Sequence, residues 1–295
     1  MKQVKHYDIA CAADNRYAVL AAVMLKSAEL SSSANTRFRV WFLDNGLTAG
    51  RKSMIIDSLD PDKMAIRFLK PSARDWSMLT PIPSGKKLTA YHRLFIPGIL
   101  GNSVRRLVYL DCDTIVLDDL GPLFETPLAA DEVVAAARDA NAWTVGCDWG
   151  GGVPNWDSLG MQKEDPYFNS GVLLIDIEKW NALEITQRVI ECTAANLNHV
   201  VWLDQYGLNV VLAQKWRELP EVWNAYPEKD VESPKIIHFV SRKPHQIDYN
   251  GRYQDLFFNI LDQTHWRSRR PPKIPLIDWF PRKIAGRVKW ALSPW

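Results

Sequence analysis

Two carboxylates one residue apart stand at the end of an apolar run, in Arg106-Leu-Val-Tyr-Leu-Asp111-Cys112-Asp113-Thr-Ile-Val. In extended backbone, side chains two residues apart leave the same face, so Asp111 and Asp113 would point together. Two anions so close repel unless a cation lies between them, and a hard divalent ion such as Mn²⁺ or Mg²⁺ takes oxygen ligands readily. An ion held there could also bind a diphosphate and neutralise charge growing on it as it departs, which is Lewis-acid chemistry. The residue types alone carry little, because about two such Asp-x-Asp pairs arise by chance in a chain this rich in aspartate. Asp60-Pro61-Asp62 is one of those and reads as a solvated loop. The pair at Asp111 differs in its setting, since unpaired charge at the buried edge of an apolar strand is costly.

Strands alternating with helices lead up to that pair. Residues 7–12 form a short apolar run ending at Ala13-Asp14-Asn15, and helical spacing (Leu20, Val23, Met24, Ser27) follows over 17–30. Residues 37–43 alternate and end at the turn signal Asp44-Asn45-Gly46. Residues 49–58 read as helix, 65–69 as a third strand, 88–100 as containing a helix, and 106–110 as a strand of the fully buried kind. Beyond a Gly- and Trp-rich loop over 145–160 come a strand within 167–176, helices over 184–196 and 203–213, and a final core strand over 235–240. The pattern predicts an α/β fold with a mostly parallel, Rossmann-like sheet flanked by helices. Ligand sites in such sheets lie beyond the carboxyl ends of the strands, where both Asp14 and Asp111 fall.

The chain has 295 residues, 47% apolar and 24% charged, which suits an ordinary globular core and excludes disordered, collagen-like and coiled-coil classes. Cys11, Cys112, Cys147 and Cys192 are scattered without zinc-site spacing, so a reducing compartment is expected. The first apolar stretch is too short for a signal-peptide core, and no run approaches the ~18 apolar residues of a spanning helix. These features predict a cytoplasmic protein. Net charge is +2, but from Arg267 onward eight basic residues face one acid, a tail of +7 that leaves −5 for the rest. A basic tail on a mildly acidic body suggests a docking segment and not a nucleic-acid-binding fold. The expected division is a catalytic domain over 1–265 and a tail over 266–295. Drawn as a helix over 281–292, the tail gathers Ile284, Ala285, Val288, Ala291 and Leu292 on one side, with Arg282, Lys283, Arg287 and Lys289 outside that arc. Trp279, Phe280, Trp290 and Trp295 add interfacial aromatics. Such a segment would lie on an anionic bilayer, each basic residue contributing ~1 kcal/mol, with the protein peripheral on the inner face of the plasma membrane. The alternative is a tail packed on the core or without order.

The order of several motifs resembles glycosyltransferase family 8, which includes bacterial lipopolysaccharide galactosyl- and glucosyltransferases and the glycogenins. They are Ala12-Ala13-Asp14, Thr89-Ala-Tyr-His-Arg93-Leu, Leu-Val-Tyr-Leu-Asp111-Cys-Asp113, Tyr167-Phe-Asn169-Ser-Gly-Val-Leu-Leu-Ile-Asp176, Trp202-Leu203-Asp204-Gln205 and Ile236-Ile237-His238-Phe239. The resemblance covers roughly residues 7–245 and implies a GT-A fold, a UDP-sugar donor (UDP-galactose or UDP-glucose), Mn²⁺ and retention of anomeric configuration. It implies a saccharide or glycolipid acceptor. By position, it makes Asp111, Asp113 and His238 metal ligands and places Ala12, Ala13, Asp14, Tyr17 and Cys112 around the nucleotide, with Tyr17 stacked on uracil. Arg93 and Asn169 would sit near the sugar and diphosphate. Asp204 would hold a sugar hydroxyl, Gln205 would lie beside the anomeric carbon opposite the leaving group, and Lys243 would grip the diphosphate.

The sequence departs from that family's pattern at Arg16, where Asn is usual, at Tyr206, and in the closing motif His238-Phe-Val-Ser-Arg-Lys-Pro-His. That last segment lacks a glycine and is one residue short, so the loop ahead of Lys243 is expected to be distorted at Ser241. Plainer roles stand beside the functional ones. His238 could be a hydrogen-bonded core histidine, Asn169 a turn former before Ser-Gly, Asp14 a helix cap, and Asp204 a first-turn residue favoured by the helix dipole. Arg93 could pair with a surface acid. Two rival functions fit parts of the sequence: a haloacid-dehalogenase-like phosphatase with Asp111 as nucleophile and Asp113 as general acid, and a non-catalytic UDP-sugar binder tethered by its tail. Against the first, at least three strands precede the motif, and Asp118-Asp119 follows too soon to be that family's acidic pair.

Overall fold

The computed structural model describes residues 3–82, 88–147 and 151–267. The basic tail from residue 268, and with it the expected membrane-binding helix, lies outside the described residues. Nine strands are described: β1 (Lys5–Ala13), β2 (Thr36–Asp44), β3 (Met64–Leu69), β4 (Arg106–Leu110), β5 (Thr114–Val116), β6 (Val134–Arg138), β7 (Phe168–Asp176), β8 (Trp216–Leu219) and β9 (Ile236–His238). The α-helices among the described residues are α1 (Ala18–Ser31), α2 (Ala49–Asp57), α3 (Ala73–Met78), α4 (Ile96–Leu100), α5 (Gly121–Phe124), α6 (Ile177–Ala182), α7 (Ile185–Ala195), α8 (Leu203–Val211) and α9 (Gln254–Leu261).

Seven strands form one sheet in the order β3-β2-β1-β4-β7-β6-β8. Parallel pairing joins β3 to β2, β2 to β1, β1 to β4 and β6 to β8, while β7 runs antiparallel to both β4 and β6. This is the expected mostly parallel, GT-A type of sheet with one reversed strand inside it. The reversal matters for position. It brings the first residues of β7 to the edge where β1, β4 and β6 end. Burial explains why these strands read as unbroken apolar runs: β1 sends Ile9, Cys11 and Ala13 into one core and Ala10 into the other, and β7 divides Val172 and Leu174 from Leu173 and Ile175 in the same way.

Helix α1 is buried on nearly every side, against β5, α2 and α9, which fits its almost continuous apolar sequence. On the opposite face, α7 and α8 pack so closely that a Cβ on Gly207 would stand 2.6 Å from Thr193 Oγ1 and 2.9 Å from the Val189 carbonyl. Asn209 then welds α8 to β7. Its Oδ1 accepts from the Phe168 N–H at 2.8 Å, and its Nδ2 donates to the Phe168 carbonyl at 2.9 Å.

The helix expected within residues 88–100 is α4, preceded by a 3₁₀ segment, Leu88–Phe95, because Pro97 in the first turn of α4 cannot continue an α-helix from upstream. The core strand expected over 235–240 is β9, which pairs antiparallel with β5 in a separate two-stranded sheet. Finally, Asn169 precedes no turn, since Asn169, Ser170 and Gly171 all lie inside β7.

Candidate functional site

Asp111 and Asp113 do converge, but by a turn and not by the strand pleat. Strand β4 ends at Leu110, and the Thr114 N–H and hydroxyl both bond back to the Asp111 carbonyl, at 3.2 and 2.8 Å. The turn delivers residues 114–116 into β5, whose register sets Thr114 opposite His238. The Phe239 N–H donates to the Asp113 carbonyl at 2.9 Å, which completes the alignment. His238 Nε2 thereby lies 3.4 Å from Asp113 Oδ1 and 3.8 Å from Asp111 Oδ2.

These three residues offer ligand atoms within 4.8 Å of one another, which no other described His, Cys, Asp and Glu set does. They fit a divalent cation on the chemistry of the donors. His238 Nδ1 is 2.9 Å from Asn224 Oδ1, an acceptor; in the Nδ1–H tautomer, which that partner favours, Nε2 turns its lone pair toward the carboxylates. Space is reserved for this ring. A Cβ on Gly171 would meet His238 Cε1 at 2.2 Å, His238 Nδ1 at 2.7 Å and Asp111 Oδ2 at 2.9 Å.

Cations of the chain itself flank the pair. Arg93, from the 3₁₀ segment, reaches Asp111 Oδ2 at 3.3 Å and Oδ1 at 3.2 Å, and also Asp204 Oδ2 at 3.0 Å. Its guanidinium lies over the Tyr109 ring, 4.7 Å from the centroid, and the Tyr109 hydroxyl donates to Asp111 Oδ1 at 2.9 Å. The plain reading of Arg93 as a surface ion pair is thus overturned. Lys243 also arrives despite the shortened loop: its ammonium sits 2.6 Å from Asp113 Oδ2 and donates to the Phe239 carbonyl. Burial pulls the Asp113 carboxyl up, but the Lys243 ammonium outweighs it and holds the group well below the usual carboxylate range. Asp204 goes the other way. Burial, opposed by Arg93 and assisted by the Asp111 charge, pushes it up to about 6.

Helix α8 carries Asp204 and Gln205 in its first turn, preceded by Leu203 at φ 41°, a left-handed value that a branched side chain adopts only under local constraint. Gln205 Oε1 accepts from Asn169 Nδ2 and the Ser170 N–H, each at 3.1 Å. Arg93 thus joins Asp111 to Asp204, and Gln205, next to Asp204 in the chain, bonds Asn169.

The residues expected around a nucleotide occupy the neighbouring strand end. Ala12 and Ala13 close β1, and the Cys112 thiol donates to the Ala12 carbonyl at 2.9 Å, tying the end of β4 to that of β1. Asp14 does not cap α1, whose N-cap is Tyr17 with no side-chain cap bond; its Oδ1 closes the turn ahead of the helix, accepting from the Arg16 and Tyr17 N–H groups at 2.9 and 3.0 Å, while Arg16 reaches Oδ2 at 3.4 Å. Tyr17 is partly exposed at the head of α1, and burial, then the charges of Asp113 and Asp14, pushes its hydroxyl up to about 12.

Four residues of the site escaped the sequence reading. Tyr109 and Gly171 sit within motifs but look like ordinary strand residues, and Asn224 lies in a short 3₁₀ segment, Glu221–Asn224, with no local signal. Asp139 had one. It ends the apolar strand β6 as Asp111 ends β4, at the same sheet edge.

A family model described as glycosyl transferase family 8 matches residues 8–253. General stress protein A of Bacillus subtilis is 27% identical over 90% of this chain and 96% of its own length. The lipopolysaccharide 1,2-glucosyltransferase of Escherichia coli is 29% identical over 61% of this chain, which spans 56% of that protein. Among solved structures, the galactosyltransferase LgtC in complex with donor and acceptor sugar analogues superposes with a TM-score of 0.74 at 24% identity, covering 89% of this chain and 99% of that one.

Proposed function

The chain belongs to glycosyl transferase family 8, and from that premise we propose that it transfers galactose or glucose from a UDP-sugar to a saccharide acceptor with retention of anomeric configuration. The observation that carries this reading is the convergence of His238 Nε2 and two carboxylates at the carboxyl edge of the sheet. Asp111, Asp113 and His238 would hold Mn²⁺ or Mg²⁺, which when bound supplies Lewis-acid neutralisation of the departing UDP. Ala12, Ala13, Asp14, Tyr17 and Cys112 frame the uridine. Lys243 adds fixed positive charge for the diphosphate beside Asp113. Arg93 orders Asp111 and Asp204 at once, and Asp204 is left facing the sugar as a hydroxyl acceptor.

The C1–O bond to the β-phosphate breaks as the acceptor oxygen bonds to C1, and the acceptor's proton passes to the departing phosphate oxygen on the same face. A double displacement needs a nucleophile on the far face. The residue assigned there is Gln205, whose Oε1 already accepts two hydrogen bonds and is a weak nucleophile. The phosphatase reading fits less well, since Arg93 and Tyr109 engage both oxygens of Asp111, the required nucleophile.

The test is a screen of UDP-galactose, UDP-glucose and other UDP-sugars with and without Mn²⁺, read by thermal shift and by hydrolysis. A donor at about 100 times its Kd stabilises by about 2.7 kcal/mol, a rise in Tm on the order of 5 °C for a chain of this size. Indifference to every UDP-sugar in the presence of Mn²⁺ and Mg²⁺ would remove the reading.

With it goes the division into a catalytic domain over 1–265 and a basic tail that attaches to an anionic membrane, where a lipopolysaccharide or other cell-surface glycan acceptor is built. No helix of the described residues is long and apolar enough to cross a membrane. The full chain is expected to co-sediment with phosphatidylglycerol vesicles and not with phosphatidylcholine vesicles, and a chain ending at 267 with neither; equal sedimentation of both chains would refute the tail's role.

A further inference from the structure

His238 reaches its metal-binding form through a hydrogen-bond relay whose far end is Asp139, a residue that contacts none of the three candidate ligands. His238 Nδ1 faces Asn224 Oδ1 at 2.9 Å, Asn224 Nδ2 donates to Asn169 Oδ1 at 2.9 Å, and Asn169 Nδ2 donates to Asp139 Oδ2 at 3.2 Å. An amide can be turned end for end without changing its shape, so the direction of such a chain must be set by partners that cannot turn. Two exist. The Gly171 N–H, a donor only, points at Asn169 Oδ1 at 2.9 Å, and the Asp139 carboxylate, an acceptor only, faces Asn169 Nδ2. Asn169 is therefore fixed in one orientation. Asn224 must then present its NH₂ to Asn169 and its carbonyl to His238, and the histidine in turn must carry its proton on Nδ1.

Asp139 is itself placed rigidly. It is buried at the end of β6, and its Oδ1 accepts from the N–H groups of Asn141 and Ala142 at 2.9 and 3.3 Å. Its Oδ2 also accepts from Gln205 Nε2 at 2.9 Å, which turns the Gln205 carbonyl toward the Ser170 N–H. One carboxylate thus engages both amides, sharing the orientation of Asn169 with the Gly171 N–H.

We propose that Asp139 is a positioning residue which, through Asn169 and Asn224, holds His238 in the Nδ1–H tautomer and so keeps Nε2 available to the metal. The inference rests on the reading of Asp111, Asp113 and His238 as a metal site. Partners beyond the ligands themselves typically govern metal affinity by 10- to 100-fold.

The first measurement needs no variant: imidazole ¹⁵N shifts of metal-free protein should place the His238 proton on Nδ1, and a proton on Nε2 would end the proposal. In Asp139→Asn the acceptor-only anchor is gone. That variant should show a mixed tautomer and Mn²⁺ binding weakened at least about tenfold by calorimetry, with an unchanged circular dichroism spectrum. Adding Asn224→Asp supplies an acceptor directly to Nδ1–H, so the double variant should recover the tautomer and Mn²⁺ affinity to within roughly threefold of the parent. Loss of Mn²⁺ with the proton still on Nδ1, or a double variant no better than the single, would overturn the relay. If the parent itself takes up no Mn²⁺, the metal site fails, while the ¹⁵N shifts still decide the relay.

Discussion

Asp113→Asn and Asp111→Asn should each lower Mn²⁺-dependent UDP-sugar hydrolysis by on the order of 10³-fold, yet only Asp113→Asn should also destabilise the fold. Each change removes an anionic ligand from the turn. They differ in what they strand. Lys243 is buried, and Asp113 is the only carboxylate at its ammonium in the described ion pairs. Neutralising Asp113 leaves that ammonium with uncharged oxygens alone, the Phe239 carbonyl and the new amide, and an uncompensated buried charge costs about 3 kcal/mol or more. Arg93 keeps Asp204 when Asp111 becomes Asn, and the remaining amide oxygen still accepts from Tyr109. Melting curves should therefore show Asp113→Asn lower by on the order of 8 °C and Asp111→Asn within a few degrees of the parent. Equal melting temperatures would show that Lys243 does not depend on Asp113, and surviving activity at saturating Mn²⁺ would remove the metal from the proposed reaction.

Gly171→Ala should be nearly as damaging to function, through one methyl group placed beside the ligands. The added carbon would stand 2.2 Å from the His238 ring, closer than any real contact, and 2.9 Å from an Asp111 oxygen. Strand β7 cannot retreat, because it is paired on both sides and the Gly171 carbonyl accepts the Asp111 N–H at 2.7 Å. The imidazole has to move instead, and with it the lone pair that faces the carboxylates. Overpacking of this kind costs about 1–3 kcal/mol. The sharper reading is functional: the Mn²⁺-induced thermal shift and hydrolysis should both vanish while the far-ultraviolet circular dichroism spectrum stays native. An unchanged Mn²⁺ response would mean that His238 lies elsewhere in solution.

The sheet and the carboxylate pair were legible because their causes are local. A strand buried on both faces reads as an apolar run, and a carboxylate at the end of such a run is anomalous wherever it occurs. Arg93, Asn169, Asp204, Gln205, His238 and Lys243 came from the order of motifs, and the structure brings them together. What stayed hidden depends on pairing between distant segments. The sequence of β7 does not say that the strand runs backwards, although that reversal is what sets Gly171 beside Asp111. Nor does Ile236-Ile237-His238 say that its partner is β5 and not the main sheet. Asp139 was within reach, as it repeats the signal of Asp111 two strands further along the sheet, beyond β7. Asn224 was not, since its whole meaning lies in the two side chains on either side of it.

The pairing of β5 with β9 has one more consequence. Each of these strands is three residues long, and they bring His238 to Asp113 across 124 intervening residues. An ion gripped by both would be a removable cross-link closing a very long loop, and loops of that length restrict an unfolded chain strongly when tied. Saturation with manganese would then do for this protein what a disulfide does for a secreted one, in a chain whose described cysteines are all unbridged.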